Sequence, residues 1–260
     1  MEPNLSPAQA KQRDRRYHRM PALRCTTDDD IRAFVRDIGV CLLFPVKGVE
    51  LPSVYQAVAG FNKPTSIKHD DPTGRITWNV KDRAMSQRWW YYGKLIRGKA
   101  TLVSLKLLPA FYALSENFGE DSDYIQLFSD GMLSVDARAI YEVLLANGPM
   151  NAIKLKRDSN FYGEEKKLKF DRARGELQAN LMVLPTGVSE AGAWHYAFVY
   201  DVLHRWLPDV VQTAREISRS QARRMIAHQH RLNTIVCSPR EMARLFGWSV
   251  SDAEQALAGE

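Results

Sequence analysis

Apolar positions along the 260-residue chain fall into short stripes at helical spacing, broken in two places by aromatic-rich runs. The first stripe is Ile31, Phe34, Val35 and Ile38, preceded by Thr26-Thr27-Asp28-Asp29-Asp30 and followed by Gly39. A hydroxyl cap, acids in the first turn where the helix dipole favours them, and a glycine stop predict one helix. Leu51–Val58 predicts a second, short helix, and the polar stretch 62–76, with Pro64, Pro72 and Gly74, predicts a loop. Met85–Leu95 contains four consecutive aromatics, Trp89-Trp90-Tyr91-Tyr92, flanked by Arg88 and Lys94. Two readings stay open for it. A helix could bury Trp89 and Tyr92 on one face while Trp90 and Tyr91 pack on a neighbour, or the rings could stack on bases beside a cationic rim. Lys106–Leu114 predicts a packed helix with Pro109 early in it.

The middle of the chain is the most informative. Ser134 caps a stripe of Ala137, Ile140, Val143 and Leu144, stopped by Asn147-Gly148-Pro149. A short helix over 152–158 follows, then a third over 164–181 with Phe170, Ala173, Leu177 and Leu181 on one face and Lys166, Lys169 and Arg172 on another, Lys167 adjoining. Met182–Pro185 and Trp194–Tyr200 read as two strands, the second with Trp194, Tyr196, Phe198 and Tyr200 at period two, joined through Ser189–Gly192. Three helices and a hairpin in residues 134–201 are the plan of a winged helix-turn-helix, whose third helix enters the major groove and whose hairpin lies against the backbone. Glu164, Glu165 and Asp171 dilute its charge, and residues 131–181 net only +2.

Ser218 caps a helix through Ala222, Met225 and Ile226; Ser238-Pro239 opens another, ended by Gly247, and Ser249 opens a last one. Residues 1–24 lack apolar periodicity and read as a basic flexible arm. The expected organisation is therefore mainly α with small β-hairpins (α+β), built as tandem winged helix-turn-helix units. Its parts are the arm at 1–24, an N-terminal helical, winged-helix-like domain at 25–130, a winged-helix domain at 131–208 and a helix-turn-helix-like unit at 209–260.

Charge changes this picture more than composition does. The net charge is +6, and residues 11–24, 81–99 and 215–244 each net +5, while acids concentrate at 116–136 and the C-terminus. Separate basic clusters suit a polyanion, because neutralising phosphates releases counterions. The three cysteines, Cys25, Cys41 and Cys237, show no metal-ligand or C-x-x-C spacing, and His228 and His230 would point about 200° apart on a helix. Asp28–Asp30 is explained as a helix start. With no Gly-rich phosphate loop, G-x-S-x-G or H-E-x-x-H, the expectation is no cofactor and no metal. No run reaches the ~18–20 apolar residues of a membrane span, and the basic N-terminus lacks a signal-peptide core, so a cytoplasmic location is expected.

Several segments resemble a known family. Arg88-Trp89-Trp90-Tyr91-Tyr92-Gly93-Lys94 with Leu107-Leu108-Pro109, Phe170-Asp171-Arg172-Ala173 with Glu176-Leu177-Gln178, and Val202–Trp206 leading into Ser220–Arg224 are similar to the AlkZ/YcaQ type of winged-helix DNA glycosylases, over about residues 28–250. The resemblance implies tandem winged-helix units around a DNA channel, double-stranded DNA as partner, and a role in DNA repair or damage recognition. Two departures stand out. The family works through a Gln-x-Gln motif that positions the hydrolytic water, whereas no two of the ten glutamines here lie two residues apart, and Lys94 stands where the family tends to carry His. No catalytic residue is therefore assigned. The DNA-binding set comprises Arg88, Trp89, Trp90, Tyr91, Lys94, Lys166, Lys167, Lys169, Arg172, Arg223 and Arg224. The alternative is a winged-helix transcriptional regulator.

Overall fold

A computed structural model of the chain describes residues 5–66 and 70–259. It is mainly helical, with two small antiparallel sheets. The opening segment forms α1 (Pro7–Arg16), capped by a reciprocal Ser6–Gln9 box. The expectation of a flexible arm therefore gives way to packed structure over residues 7–24. Tyr17 is fully buried, Arg16 Nε donates to Asn233 Oδ1 at 3.0 Å, and Arg19 forks onto Gln56 Oε1. Its arginine side chains carry the packing that aliphatic residues supply elsewhere, which is why hydrophobic periodicity does not reveal the helix.

Helix α2 (Asp28–Ile38) starts as its sequence predicts. The Asp30 carboxylate accepts from the backbone N–H of Thr26 and Thr27 at 2.9 Å, and these bonds hold its pKa down at about 2. Gly39 ends the helix at φ +78°, and a Cβ there would lie 2.7 Å from Gln229 Cγ, so both backbone and neighbour require glycine. There follow β1 (Val40–Leu42), α3 (Val54–Ala59), α4 (Pro72–Ser86), β2 (Trp90–Gly93) and β3 (Thr101–Ser104), with sheet order β1-β3-β2. The loop predicted over 62–76 is shortened, because Asp71 caps α4 through Thr73 N and Gly74 N.

The aromatic run is a strand from Trp90, not a helix. Both faces of its sheet are covered. Cys41, Trp90 and Leu102 face a core with Ile31, Phe34 and Val80, while Val40, Tyr91 and Val103 face a second core with Leu108, Leu203 and Ile226. A strand buried on both sides has no apolar–polar alternation, so its periodicity cannot be told from that of a buried helix.

After α5 (Leu108–Leu114) and α6 (Asp123–Ser129) come α7 (Val135–Asn147), β4 (Met150–Asn151), α8 (Ala152–Asp158), α9 (Lys167–Ala179), β5 (Val183–Ser189) and β6 (Ala197–Val202), with sheet order β4-β6-β5. The third helix is shorter than its predicted span, because Glu164–Lys166 forms a separate 3₁₀ turn after Gly163 at φ +96°. Trp194 and Tyr196 lie before the strand, Trp194 90% exposed, though Tyr196, Phe198 and Tyr200 do meet edge to face in succession. The order helix, strand, helix, helix, strand, strand thus occurs twice, from α2 to β3 and from α7 to β6. In both sheets the third strand lies in the middle.

The chain ends in α10 (Leu203–Trp206), α11 (Pro208–Arg215), α12 (Arg219–Thr234), α13 (Pro239–Phe246) and α14 (Val250–Ala258). Helices α11 and α12 lie against α5, and α12 reaches back to α1. Buried Asn233 donates to the Ile38 carbonyl at 2.7 Å, tying the C-terminal helices to the end of α2. Among the described residues no helix is long and apolar enough to cross a membrane.

Candidate nucleic-acid interface

The charge on α9 is sorted by the fold. Its acids are half-exposed and engaged locally: Asp171 pairs with Arg174 at 2.7 Å, and Glu176 accepts from the Ser134 backbone N–H and hydroxyl at 2.6 and 2.7 Å. Arg174 in turn lies over the rings of Phe170 and Tyr200 in the α9–β6 core. Lys167, Lys169 and Arg172 stay exposed and carry no ion pair among the described residues. Lys166 Nζ donates to the Asn160 carbonyl at 3.0 Å and lies 5.3 Å from the Tyr162 ring centre. Lys167, Lys169 and Arg172 thus form an exposed cationic cluster on the N-terminal half of α9, with the exposed Glu164 and Glu165 just before it.

The other half of α9 is occupied by protein. Gln178 is 4% exposed, its Oε1 accepts from Lys94 N at 3.0 Å, and its carbonyl accepts from Tyr91 Oη at 2.9 Å. The turns of α9 up to Arg172 and the neighbouring hairpin keep exposed side chains. At the hairpin tip, Gly192 at φ +84° comes close against Ile153 of α8, and Trp194 projects beside it in sequence.

The remaining sequence-predicted residues are not all brought to this face. Trp90 and Tyr91 are 3% and 0% exposed, so the stacking role expected for them fails: sheet burial uses both rings. Trp89 is half-buried, edge-on to Trp90, with Arg32 5.7 Å from its centre. Arg88 is exposed at φ +54° and lies 4.2 Å over the Trp206 ring, while Lys94 sits half-buried beside α9. Arg223 pairs with Asp252 of α14 at 3.2 Å, and Arg224 packs its stem against Gly259. Both arginines belong to the α12–α14 contact, remote in sequence from α9.

The three basic clusters have different fates. In the first, Arg13 meets Glu50 and Arg16 meets the Asp37 carbonyl. In the third, Arg215 and Arg219 meet Glu120 and Glu116 of the acidic stretch, a neutralisation between distant segments. In the second, Arg83 forks onto Asp28 at 2.6 and 2.7 Å. Lys81, counted only as surface charge in the sequence, is fully buried. Its Nζ lies 3.7 Å from the Trp78 ring centre and 4.6 Å from that of Phe198, donates to Tyr196 Oη at 2.7 Å, and pairs with Asp82 at 2.8 Å. Burial pulls its pKa down to about 8 against the opposing pull of Asp82. A lysine preceding an acid in a helix carries no sequence signal for such a cage, since two of its walls, Tyr196 and Phe198, come from the β5–β6 hairpin far along the chain.

The family model described as "AlkZ related" matches residues 25–247. The chain belongs to the AlkZ-related family. No curated protein and no solved structure matches it. Within this AlkZ-related chain the buried glutamines serve the fold. Gln178 is bonded as described, and Gln56, 3% exposed, accepts from Arg19 and Ser53 while donating to Asn62 Oδ1 and the Lys63 carbonyl.

Proposed function

We propose that this AlkZ-related chain binds double-stranded DNA in the manner of a damage-recognition protein, using two winged helix-turn-helix units in tandem. In this reading α9 approaches the major groove by its N-terminal half, and the β5–β6 hairpin lies against the backbone as the wing. The single observation that carries it is the exposed cationic cluster on α9: Lys167, Lys169 and Arg172 face outward without an ion pair among the described residues, while Asp171 is engaged by Arg174 and Glu176 by Ser134. The repeated element order supports the tandem arrangement, and family membership supports the link to DNA repair. No residue is assigned to base excision.

The test is duplex binding by fluorescence anisotropy across a salt series, with intact, abasic, alkylated and crosslinked duplexes and base release followed in parallel. Replacing Lys167, Lys169 and Arg172 together by Ala removes up to three phosphate contacts and lowers the salt slope by about 2–3 units. An unchanged slope removes α9 from the interface. Equal affinity for all four duplexes overturns damage recognition.

A further inference from the structure

Trp78 of α4 is 42% exposed, yet its indole is fixed in place by the protein. The buried Lys81 ammonium lies 3.7 Å from the ring centre, in contact with one π face. Phe44 and Tyr196 flank the ring at centre distances of 6.3 and 6.4 Å, tilted by 38° and 39°. With one face on the ammonium and a tilted ring at either side, the exposed part of the indole is its second π face. Phe44 follows β1, and Tyr196 precedes β6, so the row of rings runs from the first unit to the hairpin of the second.

Three properties of this surface define what it can hold. The aromatic cage is already filled by the chain's own ammonium, so a foreign cation on the open face would be repelled; a neutral flat ring would not. The indole is oriented in advance, so stacking on it costs little side-chain entropy. Arg75 stands three residues before Trp78 on the same face of α4, exposed and without an ion pair among the described residues. Residues at that spacing lie about 5–6 Å apart, a span on the order of that between a base and its own phosphate. A neutral ring joined to an anion at that distance is a nucleotide whose base is free of its stack.

We propose that Trp78 stacks an unpaired purine base of a DNA strand while Arg75 meets the phosphate of that nucleotide. A purine is favoured over a pyrimidine because its two fused rings cover more of the indole. The inference rests on the DNA-binding reading above and deepens it: the unpaired base, not the groove, distinguishes a damaged duplex from an intact one.

The experiment is fluorescence anisotropy of the full chain with a fully paired duplex and with the same duplex carrying an abasic analogue opposite either guanine or thymine. The duplex with the orphan guanine binds about tenfold tighter than the paired one, and the orphan thymine gains less. Trp78→Leu keeps an apolar lid over Lys81 but removes the π face, and it abolishes this preference. Trp78→Phe retains most of it, and both variants leave the affinity for the paired duplex unchanged. Arg75→Gln lowers the salt slope for the orphan-guanine duplex by about 1. With 2-aminopurine as the orphan base, emission falls on binding to the parent protein and does not fall with Trp78→Leu. The inference is overturned if the parent shows no preference for the orphan purine, if its 2-aminopurine emission is unchanged, or if Trp78→Leu keeps the preference. The α9 triple variant weakens all duplexes alike and keeps the preference. A single-stranded octadeoxyadenylate, which has no groove, loses about tenfold in affinity with Trp78→Leu, so failure of groove binding and failure of stacking read out separately.

Discussion

The ammonium of Lys81 donates to the hydroxyl of Tyr196 across 2.7 Å, joining residues 115 positions apart and pinning α4 to the mouth of the β5–β6 hairpin. Tyr196 passes the bond on to Asp82 Oδ1 at 2.8 Å, so ammonium, phenol and carboxylate close a ring. The orientation of the hairpin relative to the first unit is set here, by one buried charge and its satisfied partners.

Removing the carboxylate isolates that charge. Asp82→Ala is expected to destabilise the fold by about 3–5 kcal/mol, because a buried ammonium loses its counter-charge. Lys81→Met keeps an unbranched side chain in the aromatic box and restores part of the loss when added to Asp82→Ala. Urea denaturation of the two single variants and the double variant measures this; a double variant no more stable than Asp82→Ala contradicts it.

His230 introduces a pH dependence. Burial holds its pKa near 4, below the ordinary 6.5, with Glu241 pulling only weakly upward. The unfolded chain therefore binds a proton between pH 6.5 and pH 4 that the folded chain does not. Stability from this group is fully present above pH 6.5 and falls by about 3 kcal/mol toward pH 4. In a comparison of urea midpoints, His230→Gln loses this part of the acid slope while carboxylate titration remains common to both proteins.

Two tryptophans should behave oppositely. Trp90, 3% exposed within the first core, costs about 3–5 kcal/mol on replacement by Ala. Trp194, 90% exposed at the hairpin tip, stays within about 0.5 kcal/mol of the parent in Trp194→Ala, yet weakens duplex binding if the hairpin is the wing. Thermal melts and anisotropy separate the two effects.

The N-terminal segment should resist protease. Lys11, Arg13, Arg15, Arg16 and Arg19 would all be open to trypsin in a mobile arm, but α1 and its contacts to Gln56, Glu50 and Asn233 withhold them. Limited tryptic digestion followed by intact mass is expected to preserve residues 7–24. Asn233→Ala, which removes the acceptor of Arg16 and the donor to Ile38, raises cleavage there and destabilises the protein by about 1–3 kcal/mol.

Helix starts were legible because their signals are local. Thr27, Ser134, Ser218 and Ser238 each accept from a backbone N–H within three residues, and Gly39 and Gly247 stop their helices by a φ that glycine adopts freely. Strand β2 was not legible, since both its faces are buried by distant elements, the Trp90 face by Ile31 and Phe34 and the Tyr91 face by Leu203 and Ile226, more than 100 positions away. The engagement of Glu176 was hidden for a like reason: its hydrogen-bond donor is Ser134, 42 residues earlier.

The sequence by itself determined the helices, their caps, the hairpin of the middle unit and the family, because each rests on neighbours within a few residues or on motifs read in order. Only the tertiary structure decided which charges face solvent, that Lys81 is enclosed by rings, that the segment from α1 to Arg19 is held against the body, and that arginines from both ends of the chain line one cleft. Those outcomes depend on desolvation and pairing between distant segments, which no local pattern encodes.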